Sequence, residues 1–258
     1  MKFSYCTGID NVAYLVEAGF DGIDLFVPES ISARIPEKEF RTNMVKIQKS
    51  PLPVICAAGL LPSDLQVVGP AVDRKANMDF MDKTLARSQE AGISQIVFGS
   101  NKSRTVPEGF SWLEAAQQLE DFVKESLVYA EKYGVTIVLE PLRTECTNTV
   151  TTVASGAILV NKINNPYFKL LIDYFHFYRC DMDFVAFAWA LPLLRHVHIC
   201  GRNREIPGTV EYDYTDFMRI LKQGGYNGYI SVEPGVALTS KAEAVNAYKT
   251  LIQAWNNV

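Results

Sequence analysis

Residues 196–208, HVHICGRNREIPG, hold two of the chain's three histidines, set two apart on an apolar run that gives way to arginines, an asparagine and a Pro-Gly turn. In a strand, side chains two apart share a face, so His196 and His198 project the same way at different heights. His198, nearer the end of the run, is better placed to meet a ligand, and His196 reads as a buried supporting residue. Three acids end apolar runs in the same manner: Glu140 in IVLEP, Asp173 in LLIDYF and Glu233 in ISVEP. Three carboxylates and one imidazole suit a single divalent ion, Mn2+, Co2+, Mg2+ or Zn2+, and the oxygen-rich set tilts away from a structural zinc site. An acid at a strand end is often only a helix N-cap or an ion-pair partner. Four such groups ending successive runs point to one site, provided the fold brings the run ends together.

The rest of the sequence supplies such a fold. Four stretches, VEAGFDGIDLF (16–26), QEAGISQIVFG (89–99), EKYGVTIVLEP (131–141) and LKQGGYNGYISVEP (221–234), share one grammar: the end of a helix, a glycine, then a short apolar run. Glycine just past a helix is a common stop, because it accepts a positive φ without strain. Runs this short and rich in Ile and Val suit strands buried on both faces. Further strands are expected at 2–6, 52–59, 168–177 and 193–200, which makes eight. Helical stripes lie between them, at 71–91 (Met78, Met81, Leu85, Ser88) and at 111–133 (Leu113, Ala116, Leu119, Val123, Leu127, Ala130). Eight strands alternating with helices over 258 residues, with no linker dividing the chain, predict a single (β/α)8 TIM barrel spanning 1–258. An open doubly wound sheet is the alternative, but no glycine-rich dinucleotide or P-loop motif occurs. In a barrel the C-terminal strand ends converge, so Glu140, Asp173, His198 and Glu233 would meet at one mouth.

Net charge is −4 with 25 basic and 29 acidic residues, which offers no general basic field for nucleic acid or an anionic membrane. No apolar stretch reaches the ~20 residues of a membrane helix, and the opening MKFSYCTGID has no signal-like apolar segment. The five cysteines (6, 56, 146, 180, 200) show no CxxC spacing and read as reduced thiols in a cytoplasmic protein.

With these residues in view, the chain resembles the xylose isomerase-like sugar isomerases and epimerases, and within them the ketose 3-epimerases of the tagatose and allulose (psicose) type. The likeness is carried by VLEPL (138–142), LLIDYFH (170–176), HICGRNREIPG (198–208), ISVEP (230–234) and the strand-4 loop FGSNKSRTVPEGFSW (98–112). The resemblance implies that Glu140, Asp173, His198 and Glu233 hold one divalent metal and that Glu140 and Glu233 form the acid/base pair. It further implies that His176 and Arg204 contact substrate oxygens, and that Glu145 orients the substrate from a position one residue closer to Glu140 than the family's pattern. The expected substrate is a small-molecule sugar. The expected reaction is 3-epimerisation through a metal-stabilised enediolate, in a possible homo-oligomer, a dimer or tetramer. Trp112, on the strand-4 loop, is added as a candidate for stacking on the sugar.

Other readings of the same residues stay open. An aldose–ketose (hydroxypyruvate-type) isomerase or a keto-inositol dehydratase would use the same metal and base. A non-catalytic sugar-binding barrel would keep the fold alone. An abasic-site endonuclease would require many more histidines and a basic groove. GSNKSRT (99–105) reads as a mobile surface loop, or else as a phosphate contact through Lys102 and Arg104. Asp24 ends a strand without a partner motif and stays outside the set.

Overall fold

The structure, a computed structural model, describes residues 1–180 and 182–258. Eight parallel strands close in chain order into a barrel: β1 (Lys2–Cys6), β2 (Gly22–Phe26), β3 (Val54–Ala58), β4 (Gln95–Phe98), β5 (Thr136–Leu139), β6 (Phe168–Asp173), β7 (Leu194–Ile199) and β8 (Tyr229–Val232). Closure is by β8 against β1, with Phe3 opposite Ile230 and Tyr5 opposite Val232. No described helix is long and apolar enough to cross a membrane.

Each strand arises where the sequence grammar puts it. The helix Val12–Ala18 stops at Gly19 with φ 100°, and the helix Trp112–Tyr133 stops at Gly134 with φ 66°, left-handed turns that release the chain into β2 and β5. Helix starts are capped by side chains: Ser111 accepts from the Glu114 N–H, and Ser240 and Glu243 form a reciprocal capping box.

Two expectations need correction. The run 168–177 is not one strand: β6 stops at Asp173 and a helix, Tyr174–Cys180, follows directly. An unbroken apolar-aromatic run carries no period that separates the two. The break is made by Asp173, whose Oδ1 accepts the Phe175 N–H at 2.7 Å. In the 111–133 helix, Leu113 is 84% exposed and Ala116 is exposed as well. The buried face begins instead at Ala115 and continues through Leu119, Phe122, Val123, Leu127 and Ala130.

Alternation along the last four strands sets up the site. On β5 to β8, Val138, Leu171, His196 and Ser231 are fully buried, each two residues before Glu140, Asp173, His198 and Glu233. Two residues on, the same face reaches the barrel mouth.

Candidate active site

Ligand atoms of Glu140, Asp173, His198 and Glu233 all lie within 4.8 Å of one another. Glu140 and Glu233 stand one residue past their strands and still belong to the ladder: the Glu140 N–H donates to Phe98 O and the Glu233 N–H to Ile199 O. His198 Nδ1 faces Glu233 Oε1 at 3.5 Å and Glu140 Oε1 at 3.9 Å. On its other side, Nε2 lies 3.6 Å from Asp24 Oδ2 and 3.9 Å from Cys6 Sγ. A proton on Nε2, facing Asp24, leaves the Nδ1 lone pair for the carboxylate cluster, the arrangement in which a metal-bound imidazole is oriented by a carboxylate behind it. His198 Nδ1 and Glu140 Oε1 are both buried without a hydrogen-bond partner. Buried orphans of this kind call for a cation between them, so the donor set fits a divalent ion.

Asp24, outside the sequence-derived set, lies beneath this cluster. Its Oδ2 is 2.6 Å from His196 Nε2, and both side chains are almost fully buried. Burial opposes ionisation of Asp24, but His196 outweighs it and holds the carboxyl well below the usual carboxylate range. His196 thus anchors the carboxylate that backs His198.

Arg204 closes the front of the site. It sits in a turn made by Arg204 N–H to Gly201 O and Gly201 N–H to Glu205 O, and its own φ is 63°. A left-handed arginine is a strained conformation that needs support. Gly235 gives it, donating its N–H to Arg204 O at 2.7 Å. The guanidinium reaches Glu233 Oε2 at 2.7 Å, Asp173 Oδ2 at 3.3 Å and His176 Nε2 at 2.9 Å. His176 stands one helical turn after Asp173, and its Nδ1 accepts the Arg143 N–H at 3.2 Å. Burial lowers the His176 pKa, so the ring is neutral near pH 7. The ring thus faces N–H donors on both sides, Arg143 at Nδ1 and Arg204 at Nε2, and a neutral imidazole accepts from one of them at a time. The Arg204 Nη2–H meets His176 Nε2 at 2.9 Å, so the two side chains stand paired at the edge of the pocket, where a substrate oxygen would meet them.

The two glutamates are driven apart. Burial, then the Glu233 and Asp173 charges, push Glu140 up to about 8. Burial acts on Glu233 as well, but His198 and Arg204 outweigh it and hold that carboxyl below the usual range. For His198, burial opposes protonation, yet Glu233, Cys6 and Asp24 overcome it and raise the imidazole well above its ordinary value. A metal ion needs Glu140 and His198 unprotonated. Mn2+ affinity is therefore expected to rise between about pH 6 and pH 8, with proton release seen by calorimetry in buffers of different ionisation enthalpy. In chelator, Glu140 keeps its proton in the fold but loses it in the unfolded chain between 4.5 and about 8. Stability should then fall as pH rises through that window. A melting temperature rising with pH, or ion binding without proton release, would overturn this account.

Above the cluster opens a pocket of about 320 Å³, walled by Gly99, Ser100, Asn101, Arg143, Cys146 and the site residues Glu140, His176, Arg204 and Glu233. Glu145 and Trp112 are not part of it. Glu145 is exposed, and Cys146, one residue later, is the side chain that lines the wall. Trp112 is 60% exposed at the first turn of its helix. Trp112→Ala and Glu145→Gln are expected to change kcat/KM by no more than about twofold, as for ordinary surface positions. A tenfold loss from either would restore it to the site.

The strand-4 loop keeps Lys102 exposed but turns Arg104 inward, away from any phosphate in solution. Residues Asn101–Arg104 form a 3-10 turn, and Arg104 is fully buried. Its Nε donates to Gly99 O at 2.6 Å, Nη1 to Thr149 O at 2.6 Å and Nη2 to Glu140 O at 2.7 Å. Burial pulls its pKa down only to about 10, so it stays charged. Arg104 clips the strand-4 loop to the end of β5, where Glu140 begins. Nearby, a Cβ on Gly99 would collide with Glu140 Oε2.

Known proteins with this architecture share it along the whole chain. The structure aligns with that of the Escherichia coli 3-keto-D-glucoside 4-epimerase with a TM-score of 0.80 at 21% identity, covering 99% of both chains. It aligns with a D-allulose 3-epimerase from Methylomonas sp. at 0.83 and 19% identity, covering 98% of each. Among curated proteins, a probable ketose 3-epimerase of Synechocystis sp. is 24% identical over 168 residues, 62% of this chain and 56% of that protein. The chain thus spans little more than half the length of that relative. The Escherichia coli 3-dehydro-D-guloside 4-epimerase is 23% identical over 247 residues, covering 92% of this chain and 90% of that protein. Residues 12–255 match the family described as the xylose isomerase-like TIM barrel, and with its closed eight-strand barrel the chain belongs to that family.

Proposed function

We propose that the protein is a divalent-metal-dependent sugar epimerase, acting on a ketose at the carbon next to the carbonyl. The observation that carries the reading is the meeting of two sets at one mouth: the four ligand-type side chains, and the hydrogen-bonded pair Arg204 and His176. Glu140, Asp173, His198 and Glu233 would hold the ion, which supplies Lewis acidity to polarise the substrate carbonyl and acidify the neighbouring C–H. His176 and Arg204 place the substrate oxygen on which charge develops, the arrangement that stabilises an oxyanion. Glu233, kept ionised by Arg204 and His198, is the acceptor of the substrate proton. Glu140 is the other member of the acid/base pair and returns a proton, directly or through a water, once its contact with the ion is loosened.

The relatives include a 3-dehydroshikimate dehydratase of Bacillus anthracis and a putative hydroxypyruvate isomerase of Mus musculus, so the position of the proton taken is what must be tested. Protein loaded with Mn2+, Co2+, Mg2+ or Zn2+ is incubated with a panel of ketoses in D2O, and deuterium uptake is followed by NMR with a chelator-treated control. Metal-dependent uptake at C3 with a new C3 epimer is expected. Uptake at C1 or C2 with an aldose product would make it an aldose–ketose isomerase. Loss of water from substrate would make it a dehydratase, and no exchange would remove the enzymatic reading. The assignments of a cytoplasmic location and of a dimer or tetramer belong to this proposal too.

A further inference from the structure

Arg143 lies in the segment after β5, half-buried on the wall of the pocket. Its guanidinium packs 4.9 Å from the centre of the Phe175 ring, the same ring that carries the Arg204 guanidinium at 4.8 Å. Its Nε donates to Cys146 Sγ at 3.3 Å. That bond and the ring hold the group in place, and among the described residues neither Nη nitrogen meets a carboxylate. Arg34, Arg74 and Arg87 each have an acid within ion-pair reach, and so does Arg204. Among the described residues, no acid stands within 4.0 Å of Arg143. A stacked, oriented arginine without a counter-charge in a pocket is an anion receptor by its chemistry.

Charge balance strengthens the point. Glu140, Asp173, Glu233 and Asp24 carry four negative charges around the site when ionised, which a divalent ion, Arg204 and Arg104 together neutralise. Arg143 is then surplus, and a neutral sugar would leave it so. The Nη edge presents parallel N–H groups that match the two oxygens of one carboxylate. A phosphate dianion would leave one charge unanswered by this single cation. Ser100 and Asn101, on the same wall, suit hydroxyl groups.

We propose that Arg143 is the residue that selects the substrate, and that the substrate is a ketose acid, a ketose bearing a carboxylate on the carbon farthest from the metal. This rests on the sugar-epimerase reading above. The probes are D-fructose, D-fructuronate (the same ketose with its last carbon as carboxylate) and D-fructose 6-phosphate. Binding to the Mn2+-loaded protein is measured by calorimetry, and C3 deuterium uptake by NMR, for the wild type, Arg143→Gln and Arg143→Lys. Metal content and melting temperature show that each variant is folded.

A charged hydrogen-bonded pair predicts fructuronate binding about 10- to 100-fold tighter than fructose. In Arg143→Gln the ratio of the two affinities should collapse to about one, and in Arg143→Lys it should return in part. Equal binding of the acid and the neutral sugar, no binding of either, or a preference surviving in Arg143→Gln overturns the proposal. Tighter binding of the phosphate than of the carboxylate overturns the assignment of the anion. Selective binding of fructuronate without exchange at C3 leaves this inference standing and removes the epimerase reading. Exchange of fructose with no advantage for fructuronate does the reverse.

Discussion

Replacing Glu233 with glutamine is expected to lower kcat/KM by about 10³-fold, in the range measured for loss of a positioned general base. The change keeps the side chain's size and removes its charge, so packing is preserved while three relations are lost. The substrate proton loses its acceptor, Arg204 loses its 2.7 Å carboxylate partner, and His198 Nδ1 loses the carboxylate it faces at 3.5 Å. Metal content measured on the variant separates two causes. If the ion is retained and turnover is lost, the base role accounts for the effect. If the ion is lost, Glu233 acts mainly as a ligand, and added Mn2+ should recover part of the rate. Activity within tenfold of the wild type would remove Glu233 from the chemistry altogether.

The second large effect is expected at a residue that touches no reacting atom. Arg104→Met keeps an apolar stem in the space but removes every donor, leaving the carbonyls of Gly99, Glu140 and Thr149 without their guanidinium partner. An unsatisfied buried polar group costs about 1–3 kcal/mol, so the variant should lose about 3–5 kcal/mol. For a protein of this size that is a fall in melting temperature of about 10 °C. Turnover should fall as well, because the Glu140 carbonyl is one of the three. Arg104→Lys, with one nitrogen in place of a fork, should be only partly better. A drop of under about 2 °C would show that the clip carries little.

How much of this was legible in the sequence follows from how local each cause is. The barrel was readable because glycine stops and short apolar runs are properties of adjacent residues. The cluster of Glu140, Asp173, His198 and Glu233 was readable for the same reason, since each ends its own run and the fold gathers the ends. The Asp24–His196 pair was not: the two residues are 172 positions apart and meet only across the closed barrel. Arg104 looked like a loop residue because nothing in GSNKSRT tells that its own Gly99 carbonyl and those of Glu140 and Thr149 turn toward it. Glu145 is exposed while Cys146 lines the pocket, and one residue in a tight turn decides which side chain faces it. The strand and helix of 168–180 merged because an apolar-aromatic run looks alike in both, and only the aspartate side chain marks the joint.

Gly99 has a role that a survey of contacts would pass over. It has no side chain with which to touch metal or sugar, yet the place where its Cβ would stand is taken by a Glu140 oxygen. In a library randomised around the mouth, position 99 should therefore behave as the least tolerant of all. Even alanine there would displace a carboxylate, so selection would guard an empty volume as strictly as a ligand. Redesign of the substrate range is better begun at Asn101, which is exposed on the same wall.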